Sequence, residues 1–172
     1  MNALDKPKLR IELPNGWRES QEINEGQPVR VFHPPAPTPG VLRVLTDRIA
    51  ADDASFVAVK MREVAVRFMR PDDARASDRV IEDRPGGGLI ASATITATQE
   101  DGREETHYLW LLAEAGEGAT VDAAMASLAM PRESDGEKAA TLAASIVDGA
   151  IRGATMARFK LDTVCCGSCG GG

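Results

Sequence analysis

The pattern of apolar and polar side chains predicts a three-stranded antiparallel meander in the second half of the chain. Apolar residues at odd positions from 89 to 97 alternate with Ser or Thr at positions 92 to 98, which is typical of a strand with two different faces. A turn at Asp101 and Gly102 leads to an apolar strand at residues 106–113. A second turn at residues 116–118 leads to a strand at residues 119–130.

Shorter strands are predicted in the first half of the chain. Leu9, Ile11 and Leu13 alternate with charged residues, which indicates a half-buried strand. Four later segments also favour strands, namely residues 17–23, 29–32, 41–45 and 79–84. The segment at residues 33–40 contains four prolines and therefore predicts a stiff surface loop. We expect one antiparallel sheet of about six to seven strands.

Two helices are predicted, which makes the fold class α+β. The first begins after the acidic residues 52–53 and carries apolar residues at helical spacing, while Val59 and Val66 lie on its opposite side. Ser134 and Glu137 match a capping box that would start the second helix. The predicted apolar stripes are Val57, Met61, Val64, Ala65 and Phe68 in the first helix, and Leu142, Ala143, Ile146, Val147, Ala150, Ile151 and Ala154 in the second.

The sequence Leu-Pro-Asn-Gly-Trp at residues 13–17, followed by this order of elements, resembles the PsbP-like α/β/α sandwich family. That family includes DcrB-type bacterial domains and the effector-associated chaperones of type VI secretion. The resemblance covers about residues 8–155 and implies a helix-covered sheet and a non-catalytic role in binding other macromolecules. It carries over no catalytic residue, and the family pattern does not include the cysteines near the C-terminus.

Length and charge restrict the functions that fit the chain. Its 172 residues suit a single α/β domain at residues 1–161, followed by a Cys/Gly-rich tail at residues 162–172 that we expect to be flexible. A net charge of −6 argues against nucleic acid as a partner. No apolar run is long enough to cross a membrane, and the first ten residues lack a secretion signal. These features predict a cytoplasmic protein.

Residue types that often carry chemistry have ordinary structural explanations within the predicted domain. His33 adjoins two prolines, and His107 lies in an apolar strand, so both are expected to be structural. The glycines at residues 86–88 precede a strand, whereas a phosphate-binding loop precedes a helix. The acidic pairs at residues 52–53 and 72–73 are expected to serve a helix start and a loop. The sequence leans away from an enzyme.

The three cysteines of the chain are the strongest candidate for chemistry. Cys165, Cys166 and Cys169 lie close together among glycines and include a Cys-x-x-Cys spacing. Three thiolates can hold copper(I), or zinc if His33, His107 or a second subunit supplies another ligand. No cofactor is certain. The open alternatives are a redox role, and a tail that is the core of a ribosomally made, modified peptide.

The function that the sequence favours is a non-catalytic, cytoplasmic binding or adaptor domain with a protein partner. The sheet face and the proline-rich loop at residues 33–40 are the expected binding surfaces. The oligomeric state is left open.

Overall fold

A computed structural model of the chain describes residues 6–157, and within them the chain forms nine strands and two α-helices. Seven strands form one antiparallel sheet, and the first and last strands form a separate antiparallel pair. The elements in chain order are β1 (Lys8–Arg10), β2 (Arg18–Asn24), β3 (Gln27–His33), β4 (Val41–Ala50), α1 (Val57–Phe68), β5 (Ala76–Asp83), β6 (Leu89–Thr98), β7 (Glu104–Ala115), β8 (Thr120–Pro131), α2 (Lys138–Arg152) and β9 (Thr155–Ala157).

The large sheet has the strand order β2-β3-β4-β8-β7-β6-β5, which confirms the predicted meander of β6, β7 and β8. Trp110 in β7 lies opposite Ser92 on one neighbouring strand and Ala126 on the other. Since side chains alternate between the two faces of a strand, Trp110 and Leu112 share one face and Leu111 lies on the other. The α+β class is therefore confirmed.

The helices cover opposite faces of this sheet. Helix α1 packs on β6, β7 and β8, where Val57 and Ala65 join a buried cluster that includes Leu111. Helix α2 packs on β7 and β8, where Val147 and Ile151 join a second cluster. We call these two surfaces of the sheet the α1 face and the α2 face. The apolar stripe predicted for α1 is confirmed.

The start of α2 differs from the prediction. The helix begins at Lys138, and its N-cap residue Glu137 makes no side-chain capping bond. Ser134 ends a short 3-10 turn instead, so the capping box was wrong. Leu142 is exposed, because the stripe that faces the sheet includes Ala140 and Ala143 and continues through Val147, Ile151 and Ala154.

The pair of β1 and β9 closes part of the α2 face. Leu9 of β1 is fully buried in the α2-face cluster, and the side chain of Arg30 donates a hydrogen bond to the Leu9 carbonyl oxygen at 2.7 Å. The first strand was expected to continue to Leu13. It ends at Arg10, where its three-residue pairing with β9 also ends, and Leu13 packs against the core from an irregular segment.

A buried ion pair links β4 to β8 on the α2 face. Arg48 donates two hydrogen bonds to the Asp122 carboxylate, at 2.7 and 3.2 Å, and the Asp122 side chain is only 2% exposed. Gly116 lies against this carboxylate, since a Cβ atom at that position would be 2.8 Å from the Asp122 Oδ1 atom. The turn between β7 and β8 therefore needs glycine at this point.

Candidate functional site

The site predicted from the cysteines lies outside the described part of the chain. Cys165, Cys166 and Cys169 all fall beyond residue 157. Of the side chains expected to complete a zinc site, His107 contacts Ser127 and Glu105, and His33 ends strand β3 opposite Arg18. Among residues 6–157, no three His, Cys, Asp or Glu side chains come together as metal ligands.

One member of each acidic pair has a structural role. Asp53 accepts hydrogen bonds from Ser55 and caps the 3-10 turn before α1, which holds the pKa of Asp53 below its usual range. Asp73 binds the Arg75 side chain at 2.8 Å, and this hydrogen bond lowers the pKa of Asp73. The glycines at residues 86–88 form the turn between β5 and β6, as predicted.

The α2 face is only partly covered, and its open part forms a cleft beside α2. Ser92 and Thr94 of β6 form the floor together with Tyr108 and Trp110 of β7. One wall is the side of α2 that carries Ala144, Ser145 and Asp148, and the outer edge is Asp78 of β5. We call this the aromatic cleft. It exists because α2 packs mainly on β7 and β8 and reaches β5 at its last turn, where Arg152 pairs with Glu82, so that Ser92 and Thr94 of β6 remain partly exposed.

An irregularity in β5 directs Asp78 toward the cleft. The register between β5 and β6 shifts between Ser77 and Val80, and Asp78 has a φ of 51° in the left-handed region that aspartate tolerates. The next residue, Arg79, donates hydrogen bonds to the carbonyl oxygens of Met69, Arg70 and Asp73, in the segment that follows α1. The bulge thus separates an arginine that anchors α1 from a carboxylate that lines the cleft.

Aromatic side chains and carboxylates are held together along β7. The rings of Tyr108 and Trp110 stack with their centroids 6.4 Å apart. The Trp110 Nε1–H group donates to Asp148 at 2.9 Å. The Tyr108 hydroxyl donates a short hydrogen bond to Asp135, and the Thr106 hydroxyl donates to the same carboxylate at 3.0 Å. These bonds keep the rings in one orientation without a ligand.

The cleft region offers hydroxyls without side-chain hydrogen bonds and carboxylates without a cation. The hydroxyls of Ser92 and Thr94 make no side-chain hydrogen bond to another residue between 6 and 157. Asp78 and Asp135 form no ion pair with a described Lys or Arg, whereas Asp148 is paired with Arg152 at 2.8 Å. Asp78 lines the cleft and Asp135 lies next to it at the Tyr108 hydroxyl, so aromatic rings, hydroxyls and uncompensated negative charge lie close together here.

Burial and the neighbouring carboxylates both raise the pKa of Tyr108. Burial, the hydrogen bond to Asp135 and the charges of Asp135 and Asp78 raise the pKa of Tyr108 to about 12. The phenol therefore stays protonated and keeps donating to Asp135 throughout the neutral and mildly alkaline range. Between an ordinary tyrosine pKa of about 10 and this value, the folded state holds a proton that the unfolded state has lost, so stability falls as the pH rises through that window.

We expect the titration of Tyr108 to be measurable directly, because it is the one tyrosine of the chain. Phenolate absorbance should rise with a midpoint near pH 12 in the native protein. Replacing Asp135 by asparagine removes the nearest charge and should move the midpoint toward the ordinary value. Asp52→Asn, on the other side of the sheet, is the control and should leave it unchanged. An unshifted midpoint in Asp135→Asn would show that Asp135 does not act on this phenol.

The sequence predicted a sheet face as a binding surface but did not single out the residues of this cleft. The pattern predicts no role for Tyr108 or Trp110, and it predicts the Ser and Thr residues of β6 only as one face of a strand. A polar strand face within a sheet that carries a helix on each side is a signal that could have indicated an open cleft. The proline-rich loop is a loop, as predicted, and its residues 35–37 are exposed.

Neither of the two α-helices in residues 6–157 has the length and hydropathy of a membrane-spanning segment.

Comparison with known proteins shows a likeness in fold. No protein-family model matches the chain, and no curated protein matches its sequence. A solved structure that it resembles is LpqN of Mycobacterium tuberculosis, described as involved in cell envelope biogenesis. The TM-score is 0.60 at 12% sequence identity, over 88% of this chain and 84% of that one. The chain therefore has the same type of fold as LpqN over most of its length.

Proposed function

We propose that this protein is a binding or adaptor domain that holds a partner protein in the aromatic cleft. The observation that supports this proposal is the cleft itself, with a preformed Tyr108–Trp110 pair beside the unused hydroxyls of Ser92 and Thr94. A surface that is already ordered loses little conformational entropy when a partner binds. The PsbP-like resemblance, with its non-catalytic binding domains, points in the same direction.

The charges of the cleft favour a cationic segment of the partner. Asp78 and Asp135 are negatively charged and form no ion pair with a Lys or Arg between residues 6 and 157. Both help to raise the pKa of Tyr108. A guanidinium or ammonium group is attracted both by carboxylates and by the face of an aromatic ring. Hydroxyl groups on the floor can accept further hydrogen bonds from the same cation. An arginine or lysine side chain of an extended segment is therefore the group we expect here.

A titration with two short peptides of equal length tests this proposal. An arginine-rich peptide should bind saturably and change Trp110 fluorescence, and a glutamate-rich peptide should not bind. Asp78→Asn with Asp135→Asn should weaken binding by roughly tenfold or more, because two carboxylates near the cation are lost. The matched control Asp52→Asn removes an exposed charge at the start of α1 and should bind as the native protein does. Equal binding by all variants would refute the cleft as the site.

We also propose a cytoplasmic location for the protein. The sequence favours the cytoplasm, whereas the description of LpqN brings the cell envelope into consideration. Cell fractionation of the full chain decides between the two locations. Recovery with cytoplasmic markers would support a cytoplasmic adaptor, and recovery with envelope markers would show that the protein works at the envelope instead.

The cysteine cluster supports a second proposal, in which the tail binds a thiophilic metal or takes part in a thiol reaction. All three cysteines of the chain fall within residues 165–169, a concentration that suits copper(I) or zinc. The modified-peptide alternative rests on the same residues. Mass spectrometry of the intact protein distinguishes the alternatives. An added metal mass supports the metal site, a loss of two hydrogens supports a disulfide, and a larger covalent change supports the modified peptide. An unmodified mass after exposure to zinc and copper(I) would reject the metal site.

A further inference from the structure

Three polar side chains on the α1 face of the sheet form a chain of hydrogen bonds. The Nδ1 atom of His107 in β7 lies 3.3 Å from the hydroxyl oxygen of Ser127 in β8. The Nε2 atom of His107 lies 3.0 Å from a carboxylate oxygen of Glu105. Gln99 donates a hydrogen bond to the same carboxylate oxygen at 2.6 Å. The chain therefore runs from a hydroxyl through an imidazole to a carboxylate that a fourth side chain holds in place.

The direction of each hydrogen bond in this chain follows from the groups themselves. An ionised carboxylate can only accept, so the Nε2 atom of a neutral His107 carries the proton and donates it to Glu105. The Nδ1 atom is then an acceptor, and the hydroxyl of Ser127 donates to it. A serine hydroxyl is thus bonded to a base that a carboxylate orients. This relation of nucleophile, base and orienting acid activates serine on unrelated folds.

The hydroxyl-imidazole-carboxylate chain is accessible because α1 covers only one end of this face. The buried cluster under α1 extends along β7 to Leu111 and along β8 to Ala123, and it includes none of the three side chains. Ser127 is half-buried, and the side chains of His107 and Glu105 are 26% and 31% exposed. A small molecule can therefore approach Ser127 from solvent.

The side chains beside Ser127 suit a carboxylic ester. Arg43 of β4 and Leu109 of β7 are its direct cross-strand partners, so both side chains lie next to it on the same face. Arg43 pairs with Glu22 at the surface, at 3.2 Å, and such exposed pairs are weak. The guanidinium can therefore turn toward an oxygen that becomes negative beside Ser127. Leu109 offers an apolar contact for an aliphatic acyl chain.

We propose that Ser127 is the nucleophile of an acyl-transfer site that hydrolyses carboxylic esters. The Ser127 oxygen bonds to the carbonyl carbon while His107 takes the hydroxyl proton. The carbon–oxygen bond to the alcohol then breaks, and the alcohol leaves with that proton. Water, which loses a proton to His107, displaces the serine oxygen from the acyl group and releases the acid, and Ser127 recovers its proton from His107. Arg43 stabilises the carbonyl oxygen as it becomes negative, and Glu105 positions the imidazole.

This site is separate from the aromatic cleft. Odd-numbered residues of β7 such as His107 lie on the α1 face, whereas Tyr108 and Trp110 lie on the α2 face. The proposal therefore goes beyond the binding function and does not depend on it. Ser127→Ala should bind the arginine-rich peptide as the native protein does, so a failure of either proposal can be recognised without the other.

A fluorophosphonate probe, which bonds to activated serines with loss of fluoride, tests the nucleophile in the full chain. We expect one adduct on the native protein, located at Ser127 by peptide mapping, and none in Ser127→Ala. His107→Gln should slow labelling at least about 100-fold, because the base is lost. Ser20→Ala removes an exposed serine of β2 and should be labelled as the native protein is. An unlabelled native protein, or native labelling rates in His107→Gln, would overturn the proposal.

Hydrolysis of p-nitrophenyl butyrate tests turnover, once the cysteine thiols have been alkylated so that they cannot react with the ester. The native protein should release more than one p-nitrophenol per chain, and Ser127→Ala should release none above the rate in buffer. Arg43→Met should lower kcat/KM about tenfold or more, because the cation near the carbonyl oxygen is lost. Equal turnover by Ser127→Ala and the native protein would overturn the proposal.

The pH profile of kcat/KM tests the positioning role of Glu105. Ile95 and Ala129 lie directly across from His107 on the neighbouring strands, so Glu105 is the charged side chain bonded to the ring. Glu105→Gln should move the profile to lower pH, because a negative charge that favours the protonated imidazole is lost. A profile that stays in place would overturn the role assigned to Glu105.

Discussion

Replacing Arg48 by methionine is expected to lower the free energy of unfolding by about 3–5 kcal/mol, because it leaves a buried carboxylate without its cation. The Asp122 side chain is 2% exposed, and Arg48 supplies it with two hydrogen bonds. Methionine has similar length and packs readily, so the loss reflects the missing charge and hydrogen bonds rather than a cavity. Thermal and chemical unfolding both measure this change.

Arg43→Met is the matched control for this prediction. Arg43 lies in the same strand and pairs with Glu22 across the surface, where the two side chains are 45% and 47% exposed. Exposed ion pairs contribute about 0–1 kcal/mol, so this variant should stay close to the native stability. If both variants lose the same small amount, the Asp122 carboxylate is not held by Arg48 in the way described above.

Replacing Trp110 by alanine is expected to cost about 3–5 kcal/mol of stability, as for other large-to-small changes in a core. Trp110 is 4% exposed, joins the α2-face cluster and donates a hydrogen bond to Asp148. The change also removes the floor of the aromatic cleft, so binding of the arginine-rich peptide should be lost as well.

Two further variants separate the contributions of Trp110. Trp110→Phe keeps an aromatic ring on the floor and should cost less stability while retaining much of the peptide binding. Trp17→Ala removes the other tryptophan, which packs half-buried at the margin of the core, and should leave peptide binding intact. Chemical unfolding and peptide titration of the same samples provide both readouts. Peptide binding that survives in Trp110→Ala would contradict the role of this ring in the cleft.

The parts of the fold that could be predicted are those determined by local periodicity. The alternation along β6 and the turn at residues 101–102 predict the meander, because a period of two and a tight turn leave few other arrangements. For helix α1 the buried and exposed sides could both be predicted, since helical spacing places Val59 and Val66 on the side opposite Ala65. In both cases neighbouring residues contain the necessary information.

The parts that could not be predicted depend on contacts between distant segments. The capping box at Ser134 failed because that residue belongs to a 3-10 turn that ends β8, and the helix starts only at Lys138. The aromatic cleft requires Ser92 and Thr94 of β6 to lie beside α2 rather than beneath it, and it requires a bulge that places Asp78 at the edge. Local periodicity determines neither the strand order nor the position at which a helix packs on the sheet.

The central claim is that the aromatic cleft binds a partner protein through its negative charge. Affinity capture from a lysate of the native cells, quantified by mass spectrometry, tests it with three baits: the native chain, Asp52→Asn, and Asp78→Asn combined with Asp135→Asn. We predict that the native and Asp52→Asn baits capture the same proteins, each with a basic segment. The double variant should not capture them. The same proteins retained equally on all three baits would contradict the account.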